Sequence, residues 1–231
     1  MNLIRWSILP GILAVLLLCS AVSAQSTQTL PINEKNTDRL NAILKDAERE
    51  IAAQPDSLDA YKKAGVALHQ LALFSGKGYA EKGIEYLGRV AKAEPDDAIM
   101  QAYYGSLHAL HGRDGTVVMQ RLSNVNKGVS ILNRAVKKAP EDFVVRMVRA
   151  SVFFELPPMF KQNDTAFEDF LFIENKLANM DAPDVDMQAE VYYKLGSLAG
   201  EKGLEELKRT YLAKAIEKSP KSQWAELARK E

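Results

Sequence analysis

The chain is nearly without cysteine: Cys19 is the only one, and it lies inside an N-terminal apolar stretch. If that stretch is removed on export, no disulfide can support the rest in an oxidising compartment, and helix packing has to do so. The same shortage excludes cysteine-rich zinc sites. Histidine is also scarce, and although His108 and His111 stand three apart with Asp114 nearby, this is a partial ligand set where a structural site takes four. They are expected to be surface or interface residues, with no metal and no cofactor. Excess charge is missing too, since 30 basic residues balance 30 acidic ones. Neutrality argues against nucleic acid and against an anionic membrane surface, both of which call for clustered Lys and Arg.

Catalytic signatures are likewise missing. Ser75-Gly76-Lys77-Gly78 has the look of a phosphate loop, but Leu71 and Gly78 stand where that motif needs Gly and Ser or Thr. No serine, cysteine or carboxylate sits in a context that marks a nucleophile or an acid/base pair. Charges alternate along helix faces instead, as in Lys45-Asp46-Ala47-Glu48-Arg49-Glu50, the pattern of a solvated helix. The expectation is a protein that is not an enzyme.

Long apolar runs are confined to the start. Arg5 precedes the run Ile8 to Leu18, followed by Ser20-Ala21-Val22-Ser23-Ala24-Gln25 with short side chains at the peptidase positions. Residues 1–24 therefore read as a cleaved signal peptide. The run is shorter than the ~20 residues of a bilayer span and contains Pro10. Leu18 before Cys19 is unlike a lipoprotein signal, which carries a small residue there. Residues 25–32 are polar around Pro31 and read as a flexible leader, with residues 33–231 as the folded domain. The expected location is periplasmic or secreted, with membrane contact only through the signal segment before cleavage.

What the chain does have is internal repetition. Lys82-Gly83-Ile84-Glu85-Tyr86-Leu87-Gly88-Arg89-Val90-Ala91-Lys92-Ala93-Glu94-Pro95 returns 45 residues later as Lys127-Gly128-Val129-Ser130-Ile131-Leu132-Asn133-Arg134-Ala135-Val136-Lys137-Lys138-Ala139-Pro140. Part of the pattern appears again before Pro220, and a fainter version before Pro55. Pro55, Pro95, Pro140 and Pro220 lie 40, 45 and 80 residues apart, the last interval leaving room for two units. Ten residues after the first three come Gly65, Gly105 and Ala150, where minimal side chains would let paired helices approach. Leu40, Ile43, Leu44, Ala47 and Ile51 add a lone helix ahead of the first unit.

These positions resemble the tetratricopeptide repeat family, whose helix-turn-helix unit of about 34 residues has an aromatic, Leu-Gly, a large residue, Ala and a closing Pro. Tyr192, Leu195, Gly196, Leu212, Ala215 and Pro220 fit best, although Lys208 stands where the family usually has Ala. Tyr61, Ala64, Gly65, Gly83, Leu87 and Pro95 make one earlier unit; Tyr104, Gly105, Gly128, Leu132, Ala135 and Pro140 make another. The weakest unit runs from Phe143 through Ala150, Phe167, Phe170, Leu171 and Leu177 to Pro183. The resemblance implies an all-α, right-handed solenoid of about four hairpins with an extra N-terminal helix, and a scaffold that binds protein.

Two surfaces follow. Extra residues fall between paired helices at Phe74 to Tyr79, His111 to Leu122 and Leu156 to Asn163, all expected as loops on one edge. Phe74, Tyr79, Met119, Met159 and Phe160 are the apolar anchors of that edge. Pro157-Pro158 must end a helix near Leu156; Met159 and Phe160 then tuck under the loop, the expected arrangement, or stand exposed. In the family register the concave groove is lined by Lys62, Val66, His69, Ala102, Ser106, Ala109, Met147, Ser151, Phe154, Tyr193, Ser197 and Gly200. Family members that grip an acidic peptide terminus place Lys and Asn there. Here Lys62 is nearly alone, so an apolar helix or extended peptide is the better fit.

The expected role is an exported, non-catalytic adaptor of the bacterial envelope. The alternative is an accessory protein holding a lipid or small hydrophobic ligand for a transport system, which a deep closed apolar cavity would favour. Export has a direct check: N-terminal sequencing of protein from its native host should begin at Gln25, and an intact Met1 or a lipidated Cys19 would refute it.

Overall fold

A computed structural model of the chain describes residues 30–32, 34–76 and 78–231. The expected signal peptide and its cleavage site lie outside the described residues. Ten α-helices occur among those described: α1 Thr37–Ala53, α2 Leu58–Phe74, α3 Tyr79–Ala93, α4 Ala98–Asp114, α5 Val118–Lys138, α6 Phe143–Glu155, α7 Asn163–Ala178, α8 Val185–Glu201, α9 Glu205–Lys218 and α10 Gln223–Ala228. A single 3₁₀ turn, Pro158–Phe160, stands between α6 and α7. Helices α2/α3, α4/α5, α6/α7 and α8/α9 pair as antiparallel hairpins, with α1 docked on α2 and α10 on α8 and α9. This is the expected all-α solenoid of four hairpins behind a lone helix.

One local device closes α1 and the first, second and fourth hairpins. The cap residues Gln54, Glu94, Ala139 and Ser219 close the preceding helix, and proline follows directly. Proline cannot continue the helix. Two residues past each proline an oxygen-bearing side chain caps the next helix: Ser57 accepts from Ala60 N–H, Asp97 from Met100, Asp142 from Val145 and Ser222 from Ala225. Each cap stabilises its helix by about 1 kcal/mol. The α7–α8 connection, residues 179–184, is longer and capped by Asp184 directly after Pro183.

Within hairpins the helices close on glycine. A Cβ added at Gly128 would lie 2.6 Å from the Gly105 carbonyl oxygen, and one at Gly65 or Gly196 would run into Leu87 or Leu212 at 2.3 and 2.8 Å. The positions picked out ten residues past Pro55 and Pro95 are therefore points of closest approach. Counting from these glycines, Gln101 takes the place that Tyr61 and Tyr192 occupy in their units, so Tyr104 is not the second unit's register aromatic.

Of the three expected loops, the described residues 75, 76, 78 and 156–162 are non-helical apart from the 3₁₀ turn. The expectation for His111 to Leu122 is corrected: α4 runs to Asp114 and α5 begins at Val118, so only residues 115–117 connect them. The extra residues go into longer helices because they have a buried seam of their own. Val125 is buried, and Gly112 sits so close that a Cβ there would be 2.7 Å from Val125 Cγ2.

The main core gathers Leu132, Phe153, Phe170, Ile173, Leu195 and neighbours from α4 to α9. Inside it stands a carboxylate, Asp169 of α7, with 0% exposure. Two guanidiniums from α6 clasp it: Arg149 through Nε at 2.7 Å and Nη2 at 2.9 Å, and Arg146 through Nη1 at 2.8 Å. Arg149 continues to Asn133 on α5 at 3.1 Å. The clasp ties the third hairpin together and links it to the second. Asp169→Ala would leave two arginines without their buried counter-ion, and chemical denaturation should report a loss of about 3–5 kcal/mol.

Candidate functional site

The groove positions divide between the two halves of the solenoid. In the first half the groove is closed. Val66, Ala102, Ser106 and Ala109 are buried because α2 and α4 pack through small side chains, and His69 Nε2 meets Ser106 Oγ at 2.8 Å across that contact. His69 and Ser106 are thus corrected from groove-lining to interior residues. Lys62 pairs with Glu94 at 2.5 Å and Asp97 at 3.0 Å, which commits its charge to the neighbouring turn.

In the second half Met147, Ser151, Phe154, Tyr193, Ser197 and Gly200 are half-buried. Phe154 lies edge-on to Phe170 and to Tyr193, both with ring centroids 6.4 Å away. Beneath them Lys194 is buried, its Nζ 2.6 Å from Glu190 and within 5.5 Å of the Phe154, Phe170 and Trp224 ring centres. At the far end Glu231 accepts from Ser197 at 3.2 Å and Tyr193 at 3.4 Å, and pairs with Lys208 at 3.2 Å. The Lys208 stem lies over Gly200, where a Cβ would be 2.9 Å from Lys208 Cδ. That space is how the unit accepts lysine where alanine was expected.

Along the edge, Phe74 is exposed at the end of α2 while Tyr79 is half-buried against Leu40, Ala67 and Leu71. Met119 is 75% and Met159 69% exposed. The tuck expected for Met159 and Phe160 is therefore corrected for Met159, because the 3₁₀ turn holds Pro157, Pro158 and Met159 outward, and Phe160 is half-buried beside them. Val117 and Val118, exposed next to Met119, were missed by a reading that followed methionine and aromatic residues.

His108, expected as a surface or interface residue, is 4% exposed and, like His69, lies in the interior. His69 faces Tyr103 at 4.9 Å and His108 faces Tyr104 at 4.7 Å, both edge-on. His69 Nδ1 and both His108 ring nitrogens have no hydrogen-bond partner among protein atoms. Burial pushes each imidazole down to about 4, and Lys127 and His111 add repulsion at His108. Asp114, the expected third group with His108 and His111, pairs with Arg113 at 2.7 Å. Among the described residues no three His, Cys, Asp or Glu side chains are grouped to hold a metal.

No protein-family model matches the chain, and no curated protein matches it in sequence. Solved structures do. A thermophilic TPR protein of Thermus thermophilus superposes with a TM-score of 0.61 over 82% of this chain and 91% of its own, at 17% identity. MamA follows at 0.54 over 80% and 91%, at 16% identity, and residues 41 to the end of MamA from Desulfovibrio magneticus RS-1 at 0.50 over 72% and 78%, at 18%. The likeness spans nearly the whole length of the first two, and the chain has the tetratricopeptide repeat fold.

The buried histidines give that fold a pH dependence. The unfolded chain takes up protons on them near the ordinary ~6.5, while the folded chain resists until about 4. Stability should be complete above ~6.5 and decline as pH falls toward 4, by roughly 2–3 kcal/mol per histidine. Urea unfolding of wild type against His108→Phe, which keeps a ring beside Tyr104, should show a visibly flatter profile over this window in the variant.

Proposed function

We propose that this protein is an exported, non-catalytic scaffold of the bacterial envelope that holds a protein segment on the concave face of its third and fourth hairpins. The observation that carries this is the split of the groove: closed at His69 and Ser106, accessible at Met147, Ser151, Phe154, Tyr193 and Ser197. The accessible strip offers aromatic and thioether area on rigid helices, braced from below by Lys194. An apolar helix face or an extended peptide fits such a strip, with Ser151 and Ser197 for polar contacts. The signal-like segment of residues 1–24 supports the envelope location, and the TPR fold of the neighbours supports a binding role.

The ligand-carrying alternative gains no support from the surface. One depression of about 270 Å³ is lined by Pro95, Gln101, Arg134, Ala135 and Lys138, and another of about 300 Å³ by residues 204–207. Both open to solvent, and neither is a closed apolar chamber.

Photo-crosslinking side chains at positions 147 and 197, in cells of the native host, should give a discrete protein adduct. Phe154→Ala and Tyr193→Ala should each lower its yield roughly tenfold, as anchors worth about 1.4 kcal/mol or more, with the helical signal unchanged. Adducts formed only from positions 119 and 159 would place the protein partner on the edge and overturn the concave assignment.

A further inference from the structure

The far end of the concave strip holds a carboxylate among three donors. Glu231 lies three residues beyond α10, and its Oε1 accepts from Ser197 Oγ at 3.2 Å and from the Tyr193 hydroxyl at 3.4 Å, both on α8. Its Oε2 pairs with Lys208 Nζ of α9 at 3.2 Å. Lys208 is a departure within the repeats themselves. Aligned on Leu87, Leu132 and Leu212, each eight residues before its proline, the first two units have Gly83 and Gly128 where the last has Lys208. In the second unit Gly128 faces Ala109, a Cβ there lying 3.3 Å from the Ala109 Cβ; in the last unit the equivalent pair is Lys208 and Gly200. The glycine on the first helix leaves the space that the lysine stem crosses, and the ammonium reaches the carboxylate that Tyr193 and Ser197 also hold. Burial first, and then the Glu231 and Glu155 carboxylates, hold the Tyr193 phenol above its ordinary value, so it keeps its proton and remains a donor.

We propose that Glu231 is the chain's own stand-in for an acidic side chain of the bound protein segment, so that Tyr193, Ser197 and Lys208 form a carboxylate subsite and Glu231 a latch that competes for it. This rests on the concave assignment and gives the partner a chemistry: an apolar stretch for Met147, Phe154 and the Tyr193 ring, carrying one Asp or Glu that reaches the donors. Charge favours that occupant over a neutral segment. A neutral segment displacing Glu231 would leave the Lys208 ammonium without its counter-charge, and an acidic one restores it. Lys194, the other lysine beneath the strip, is already paired with Glu190 at 2.6 Å. The latch is weak enough to yield. Glu231 and Lys208 keep 28% and 21% of their side chains exposed, and an ion pair this accessible contributes little. The arrangement also differs from the Lys and Asn pattern of family members that grip an acidic terminus, since two of its donors are hydroxyls and its lysine comes from the second helix of the hairpin.

The test reads photo-crosslinking from position 147, on α6 and apart from the three donors, in full-length protein in cells of the native host. Glu231→Gln removes the competing charge and should raise the yield of the protein adduct about threefold. Lys208→Met should lower it about tenfold, as the loss of one charge-assisted hydrogen bond, and Lys208→Arg should keep most of it. In Lys208→Met the further change Glu231→Gln should have no effect, because the subsite for which Glu231 competes is gone. Unchanged thermal unfolding verifies each variant. A synthetic peptide spanning the crosslinked segment, with both ends capped, should bind the purified protein with the same dependence on Lys208 and lose that dependence when its Asp and Glu are replaced by Asn and Gln. A dependence that survives those replacements would overturn the proposal. An adduct whose yield ignores Glu231 and Lys208 would overturn the subsite and leave the concave assignment standing, whereas no adduct from position 147 in either wild type or Glu231→Gln would overturn both.

Discussion

Helices in this chain meet where a side chain is missing. Gly105 and Gly128 bring two backbones to within a methyl group of each other, and Gly65 and Gly196 receive Leu87 and Leu212 into the space a Cβ would fill. Close approach of this kind is intolerant, because even alanine at Gly128 would press on a carbonyl oxygen. It sets the spacing inside the first, second and fourth hairpins and hence the face each offers to its neighbour, while the third, whose helices contain no glycine, meets at Ala150. The His69–Ser106 contact and the bed of rings around Lys194 lie on hairpins spaced in this way, and the clasp on Asp169 holds the hairpin that lacks a glycine.

Much of this was legible in the sequence because it is local. The prolines mark the turns, the oxygen two residues later marks the next cap, and the glycines ten residues on mark the contacts, all within one unit. The failures share a different cause. His111 to Leu122 was expected as a loop because it exceeds the length of the repeat unit; the buried Val125 that supports the helical extension lies outside that stretch and is matched by Gly112 in the partner helix. Asp169 carried no signal in the sequence, since its two arginines lie 20 and 23 residues earlier. His69 and Ser106 were placed in the groove by register alone, without knowing that alanine-rich helices would close it. Long-range pairing decided each case.

Of the candidate site, the residue types were legible and their accessibility was not. Met147, Phe154 and Tyr193 remain within reach of a partner, whereas the equivalent places in the first half are interior. Met119 and Met159 proved more exposed than the reading of their loops required, and Tyr79 less so, because it closes over the α1–α2 contact.

The short α10 has a consequence for the last hairpin's exposed face. A stack of hairpins is open at its ends, and any hairpin face able to receive one neighbour could receive a copy of the whole molecule. Such head-to-tail contacts do not close and lead to fibres. Trp224 lies 5.8 Å from the Tyr193 ring, and Ala225 and Ala228 are buried over the last hairpin. With Lys194 beneath it, α10 covers the face of α8 and α9 with the chain's own side chains, so a copy stacking there would first have to displace this helix.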